Sequence, residues 1–408
     1  MWKSTDNFIG LIIVILFTEG SIATGSTIYI IGMITWIITL IISKGRLPVK
    51  VTHFPYFPLF VYGIIISIFA ALLNSFDIRN LILGIMNLSN PVLFLSIGAV
   101  LALVCPKKKF LKYVVFSGMF VALFQLYLLV RNISTADSIN SLRMSMLATP
   151  DIIPITLILL MYRKTLDIDI NKSITKIAFF ITVASFVVSF SRTLILQLVI
   201  YILVFSIDRR FLKRNITVYL TIILGAIAAY FFFINNSFGD AFLEKIIKSS
   251  TEVSSNNDWN QLSTILKNWR GYEVFSADAQ FNSNRMFEKI FGEGLASQIY
   301  VGPYAIYVGV NGMSIPYLHN SYYTILIKLG YIGLIYYVSF LGINFLFYLK
   351  KSHYNTGYLL VIAIIAIFAV NSKLMQGVVV IGHDAVLLVI LGFLSTPRGI
   401  QQENISKV

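Results

Sequence analysis

The sequence predicts an all-α, polytopic membrane protein of about twelve transmembrane helices with one large loop on the exoplasmic side. Three observations carry that prediction. Hydrophobic residues make up 57% of the 408-residue chain and charged residues only 12%, roughly half the charge of a soluble protein. The apolar residues fall in runs near the length that crosses ~30 Å of hydrocarbon. Lys and Arg gather in short clusters between those runs, which is the pattern that orients membrane helices. The net charge of +14 is thereby accounted for without a nucleic-acid partner. The single cysteine, Cys105, excludes an internal disulfide. The first apolar run lacks a small-residue cleavage site and reads as a first span.

Taken in order, the spans are expected at residues 7–20, 25–43, 56–74, 81–104, 110–130, 149–162, 177–190, 193–207, 216–234, 320–348, 357–372 and 378–396. Basic clusters at Lys44/Arg46/Lys50, Lys107/Lys108/Lys109/Lys112, Arg163/Lys164/Lys172/Lys176, Arg209/Arg210/Lys213/Arg214 and Lys350/Lys351 each follow an even-numbered span. All five then share one face, which the positive-inside rule makes cytoplasmic, together with both termini. Residues 176–207 are the ambiguous stretch. One long tilted helix there would spoil the pattern, so two spans with a tight turn near Ser189-Phe190-Ser191-Arg192 are preferred. The whole chain, 1–408, is one membrane domain. Residues 235–318 form a large exoplasmic loop between spans nine and ten. Two pieces of it, 242–248 and 262–267, have apolar residues at helical spacing, as in helices lying on a membrane surface.

The residues with chemistry concentrate in and beside that loop. Arg192 begins a span on the exoplasmic side, where positive charge is unusual. It reads either as a diphosphate contact, for which a guanidinium fork is suited, or as a snorkelling arginine. In Trp269-Arg270-Gly271-Tyr272-Glu273, Arg270 is a second phosphate candidate. Trp269 and Tyr272 are candidates to stack on a sugar, and Glu273 to orient Arg270; the alternative is a solvated loop patch. Phe291-Gly292-Glu293-Gly294-Leu295 permits a tight turn at Gly292 and Gly294, with no strand before it to suggest a dinucleotide site. His319 sits where the tenth span begins. There free backbone N–H groups attract anions, and an imidazole suits general-base work near neutral pH. Tyr323 follows four residues later on the same helix face. The span at 320–348 is about 29 residues, ~43 Å at the helical rise, so its first turns project beyond the hydrocarbon and hold Lys328 near the interface. Gly330 and Gly333 read as helix-packing residues. His383-Asp384, just inside the last span, is either functional or a structural pair. His53 and His353 read as incidental, and no histidine pattern calls for a metal.

In sequence order these are a Ser191-Arg192 turn with Leu196 beyond it, Arg270, the Phe-Gly-Glu-Gly-Leu turn, and His319-Asn320 followed by Gly330-Tyr331-Ile332-Gly333. That arrangement resembles the O-antigen polymerase/O-antigen ligase superfamily, the Wzy and WaaL type of GT-C glycosyltransferases, over about residues 186–348. Thr193 stands where the family often has a small residue, and Arg285 competes with Arg270 for the loop arginine. The resemblance implies a GT-C-like enzyme in the bacterial inner membrane, with its active site on the periplasmic face. It would be an inverting, metal-independent and cofactor-free transferase whose donor is a glycan on undecaprenyl diphosphate. It places His319 as the base on the acceptor hydroxyl and Arg192 and Arg270 on the departing diphosphate. The implied partners are undecaprenyl-diphosphate-linked oligosaccharides, membrane lipid and, for a polymerase, a chain-length regulator of the Wzz type. Polymerase and ligase share this arrangement and differ in acceptor: another lipid-linked repeat unit, or lipid A-core. The polymerase is favoured because the chain is idiosyncratic outside the motif. A flippase for lipid-linked sugar is the reading from another class. It would use broken helices near the midplane, for which residues 87–91 of the fourth span are the one candidate.

Overall fold

The computed structural model describes residues 2–23, 25–47, 56–73, 77–135, 142, 145, 150–189, 191–207, 259–308, 312–352, 355 and 357–396. The expected span at 216–234, the amphipathic piece at 242–248 and the basic cluster after residue 207 lie outside them.

The first half is a series of apolar helices: α1 (Trp2–Ile22), α2 (Gly25–Ile42), α3 (Phe57–Leu73), α4 (Ile78–Val104), α5 (Lys107–Asn132), α6 (Ile152–Met161), α7 (Lys172–Val188) and α8 (Arg192–Ser206). After them come α9 (Leu262–Lys267), α10 (Trp269–Ser283) and α11 (Met286–Phe291), which are short or polar. The chain closes with α12 (Ser321–Lys351), α13 (Gly357–Leu374) and α14 (Ala385–Ser395). Among the described residues, five helices, α2, α4, α5, α12 and α13, are long and apolar enough to cross a membrane. The exposed side chains of α2 show why lipid is the solvent. Ile30, Ile34, Ile37 and Ile41 are all exposed and recur at helical spacing along one face, which in water would be an aggregation surface. The chain is an all-α membrane protein in its architecture.

Two helices, α7 and α8, divide residues 176–207 between them. Small residues let the central helices touch. A Cβ on Gly98 would meet the Val389 carbonyl of α14, and one on Gly392 would meet the Leu95 carbonyl of α4, so each helix supplies the recess for the other. Phe110 of α5 stacks on Phe393 of α14 with ring centroids 3.8 Å apart.

The expected break in the fourth span does not occur. Helix α4 runs through Pro91, and the amides beside the proline have a different task. Asn87 Oδ1 accepts from Ile381 N (2.9 Å), Asn90 Oδ1 accepts from Gly382 N (3.0 Å), and Asn90 Nδ2 donates to the Val378 carbonyl (2.9 Å). They satisfy the irregular backbone between α13 and α14, which would otherwise carry bare polar groups in an apolar interior. The expected last span, 378–396, is accordingly shorter as a helix and begins at Ala385.

The described part of the large loop, from residue 259, is folded. Helices α9, α10 and α11 are followed by a two-stranded antiparallel ribbon, β1 (Ile299–Tyr300) and β2 (Ser314–Ile315), paired Ile299 to Ile315. Ile265, Tyr272, Ala277, Ile299, Val301 and Leu318 form a core of their own with Ile327 of α12. The loop is therefore a small domain seated on the start of α12. Only Ile265 of α9 is buried there, while Leu262 and Leu266 of the same helix remain exposed.

Candidate functional site

The site is built where the small domain meets α12. Asn320 caps α12, its Oδ1 accepting from Tyr322 N (3.1 Å) and Tyr323 N (3.4 Å). The backbone donors expected to hold an anion at this terminus are thus occupied by the cap. His319, one residue earlier, is fixed from the other side by Glu273 of α10. Its backbone N donates to Glu273 Oε2 (2.9 Å), and its ring Nδ1 lies 2.9 and 3.0 Å from the two carboxylate oxygens. Trp269, one turn before Glu273, donates its indole N–H to Oε1 (2.6 Å). Glu273 is 3% exposed and His319 36%, so the carboxylate is sealed while the ring is reachable. A carboxylate accepts only. Nδ1 therefore carries the proton, and the lone pair is on Nε2, which makes no hydrogen bond among the described residues. This is the arrangement that holds a histidine base in one tautomer and stabilises its protonated form.

Three expectations for this segment are corrected. Glu273 orients His319, not Arg270, because residues 46 apart in sequence meet when α10 docks on α12. Tyr272 does not stack on a sugar: its ring is buried in the small core, its hydroxyl donates to the Val301 carbonyl (3.2 Å), and burial holds its pKa above the ordinary phenol value. The indole N–H of Trp269 is committed to Glu273, and its ring packs on Tyr272 with centroids 5.7 Å apart. Tyr323, half-buried, packs against the same core.

The arginines separate by position. Arg270 lies one helical turn before Glu273, is half-buried, and has no ion pair among the described residues. Arg285 is exposed beyond the far end of α10, about 15 Å along the helix from Glu273; its backbone N donates to Glu288 Oε2 (3.0 Å). The dyad and Arg270 share one end of α10, and Arg285 does not. Arg192 is the first residue of α8. That helix packs on α13, which packs on α12.

The glycine turn and the span glycines form one device. Gly330 has φ 65° and ψ −169°, which breaks α12 at a point where the sequence suggested helix packing alone. The break frees the carbonyls of Ile327 and Lys328, and the turn takes them: Glu293 N donates to Ile327 O (2.9 Å) and Gly294 N to Lys328 O (3.0 Å). Gly292 and Gly294 have φ 90° and 89°. A Cβ on Gly292 would strike the Lys328 carbonyl, and one on Gly330 the Ile290 carbonyl. Lys328 is buried, and its Nζ donates to the carbonyls of Leu295 (2.9 Å) and Ser297. Tyr62 of α3 adds its hydroxyl to the Phe291 and Leu329 carbonyls (3.2 and 3.3 Å). Gly333 packs on Leu329 of its own helix. The latch fixes the height of the small domain on α12, and with it the meeting of Glu273 and His319.

Two of the cavities among the described residues are lined by residues singled out in the sequence. The larger, about 660 Å³, lies between α3 and the loop helices, beyond the glycine turn, and His319 does not line it. The smaller, about 280 Å³, is lined by Ser21, Asp151, His383 and Asp384 among others. Asp151 and Asp384 are within proton-sharing reach of each other. Asp151 Oδ1 accepts from Gln197 Nε2 (2.7 Å) and Asp384 Oδ1 from Asn371 Nδ2 (2.7 Å). This cluster went unseen in the sequence, except for His383-Asp384. The available signal was polar residues inside apolar helices: Gln197 in α8, Asn371 in α13 and Asp151 at the head of α6. Among the described residues no group of three or more potential ligands could hold a metal. In comparisons with known proteins, no family model matches the chain and no curated protein matches it significantly.

Proposed function

We propose that the chain is a glycosyltransferase that uses a glycan on undecaprenyl diphosphate as donor, and specifically an O-antigen polymerase. The observation that carries this reading is the Glu273–His319 dyad at the start of α12, with Nε2 open and Arg270 one turn from Glu273. Nε2 takes the proton of an acceptor hydroxyl as its oxygen attacks the anomeric carbon. The bond from that carbon to the diphosphate oxygen breaks, and the diphosphate leaves with the electron pair, held by the Arg192 and Arg270 guanidiniums. Glu273 offsets the charge of the imidazolium until its proton passes to water. Attack opposite the leaving group inverts the anomeric centre. The diphosphate needs cationic partners, and two guanidiniums supply them without a metal. The localisation that goes with this reading is the bacterial inner membrane, with the site on the periplasmic face and cytoplasmic termini.

The test is lipopolysaccharide banding in a strain lacking the gene, complemented with wild type or His319→Ala at matched expression. A polymerase leaves core plus a single repeat unit in the knockout, and His319→Ala does not restore the ladder. Bare core with long glycan on the carrier indicates a ligase instead. A full ladder from His319→Ala removes the catalytic-base reading. The broken helix α12 favours a transporter of lipid-linked sugar as the second reading. Against it, the carbonyls freed at the break are consumed by loop backbone.

A further inference from the structure

We propose that α11 is a membrane-interface anchor. Met286 and Phe287 enter the boundary between lipid headgroups and acyl chains and hold the small domain down on the bilayer. The partner is the lipid surface itself. The inference goes beyond glycosyl transfer and does not rest on it. It requires only that α4 and α12 cross the membrane.

Depth along these two helices carries it. Helix α12 ends at Lys350 and Lys351, and Lys107, Lys108 and Lys109 follow α4 directly. Lysines stay at the aqueous edge of a bilayer. Crossing ~30 Å of hydrocarbon takes about 20 helical residues. Counted back from Lys350, the far edge falls near Tyr331. Counted back from Val104, it falls near Ile85. Both marks meet the same stretch of the small domain. A Cβ on Gly330 would strike the Ile290 carbonyl, and one on Gly84 the Leu295 carbonyl. Two helices thus place residues 290–295 at one edge of the hydrocarbon, and α11, which ends at Phe291, beside it.

The surface agrees with the depth. None of residues 321–330 of α12 is exposed. Past the break an exposed apolar stripe begins with Tyr331, Ile335 and Val338. The lipid-facing side of α12 therefore starts at the level where α11 meets it. On α11, Met286 is 71% exposed and Phe287 54%. Phe287 and Phe291 share the walls of the larger cavity with Ile66 and Phe69 of α3, and Phe69 and Leu72 are exposed as well. These residues carry the apolar surface of α3 and α12 onto the loop. In water such a surface is an aggregation patch; at a bilayer boundary acyl chains cover it. Arg285, exposed at the head of α11, is long enough to keep its guanidinium among the headgroups while Met286 and Phe287 lie deeper. That gives a task to an arginine that the dyad does not use.

The test uses native methionines. The full-length protein in lipid nanodiscs is treated with chloramine-T, a water-borne oxidant that converts a thioether to its sulfoxide, and the products are read by peptide mass. Met313, 52% exposed just before β2, reports water, and Met33, exposed on α2, reports lipid. Met286 is more exposed than Met313, so in water it would oxidise at least as fast. The expected result is sulfoxide at Met313 and no more at Met286 than at Met33. A second measurement identifies what covers the face. In a Cys105→Ser background, Phe287→Cys carries a spin label, with Ile34→Cys of α2 as the lipid reference and Lys267→Cys of α9 as the water reference. The label at 287 should collide with oxygen in preference to a water-soluble nickel chelate, as the label at 34 does. Met286 oxidised as fast as Met313, or a label at 287 reached by nickel as the one at 267 is, overturns the anchor. So does a label shielded from both reagents, because protein and not lipid then covers the face. No outcome depends on sugar transfer.

Discussion

Glu273 carries three donors on one carboxylate, and two of them belong to His319. Replacing it with Gln keeps the shape and removes the charge. An amide can also turn its NH2 toward Nδ1 and drive the proton to Nε2, the atom that must be free. Glu273→Gln should therefore slow transfer about 10- to 100-fold, the usual cost of losing a group that orients a histidine, with little change in melting temperature. His319→Ala should cost about 10²- to 10⁴-fold, the range for removing a general base. Trp269→Phe keeps the ring and loses one donor, and should fall between wild type and Glu273→Gln. All three are read in a single-turnover assay with purified protein and lipid-linked donor. At this scale the sequence offered the participants without their pairings. His319, Trp269 and Glu273 are all visible as candidates. That Glu273 serves His319 depends on a 46-residue closure, which no local spacing encodes. Tyr272 looked like a sugar platform because an aromatic beside an arginine in a loop has no visible core to join. The core formed from residues up to 55 positions away, such as Ile327.

The helices themselves were legible because lipid imposes a length and a composition on them. The division of residues 176–207 into α7 and α8 followed from the placement of basic residues alone. What composition cannot show is backbone that departs from helix inside an apolar run. Gly330 in such a run reads as a packing residue, and only its meeting with Gly292 and Glu293 makes it a break. Gly330→Ala is thus predicted to be severe. It forces an alanine to φ 65° and drives a Cβ into the Ile290 carbonyl, a cost of about 1–3 kcal/mol for the backbone alone. A lowered melting temperature in detergent should accompany the loss of activity. Gly333→Ala lacks the positive φ and should be milder by the same measure. Lys328→Met removes the donor to Leu295 and Ser297. Hydrogen exchange should then rise through residues 291–298 ahead of any global unfolding.

The molecule as a whole places a small folded unit on one end of a set of apolar helices, joined through the latch and a shared core residue, Ile327. Orientation in the membrane is open to direct measurement because Cys105 is the only cysteine. In a Cys105→Ser background, a cysteine at Ala279 of α10 should react with an impermeant maleimide in intact spheroplasts. One at Lys350, in the last turn of α12, should react only after permeabilisation. The reverse pattern would put the dyad on the cytoplasmic side and end the proposed assignment of substrates.

The latch also has a consequence for when the protein becomes competent. Glu273 precedes α12 in the chain, and the Ile327 and Lys328 carbonyls at the Gly330 break accept from the backbone of residues 293 and 294. On the proposed topology the loop must first be exported, then folded, and then brought down on α12. Until it docks, His319 has no carboxylate and α12 has two bare carbonyls. On the proposed function, competence for transfer is then the last event of biogenesis. On that same proposal, a chain still passing through the translocon, or one whose loop has stayed on the cytoplasmic side, would carry no working base and would leave lipid-linked sugars there untouched.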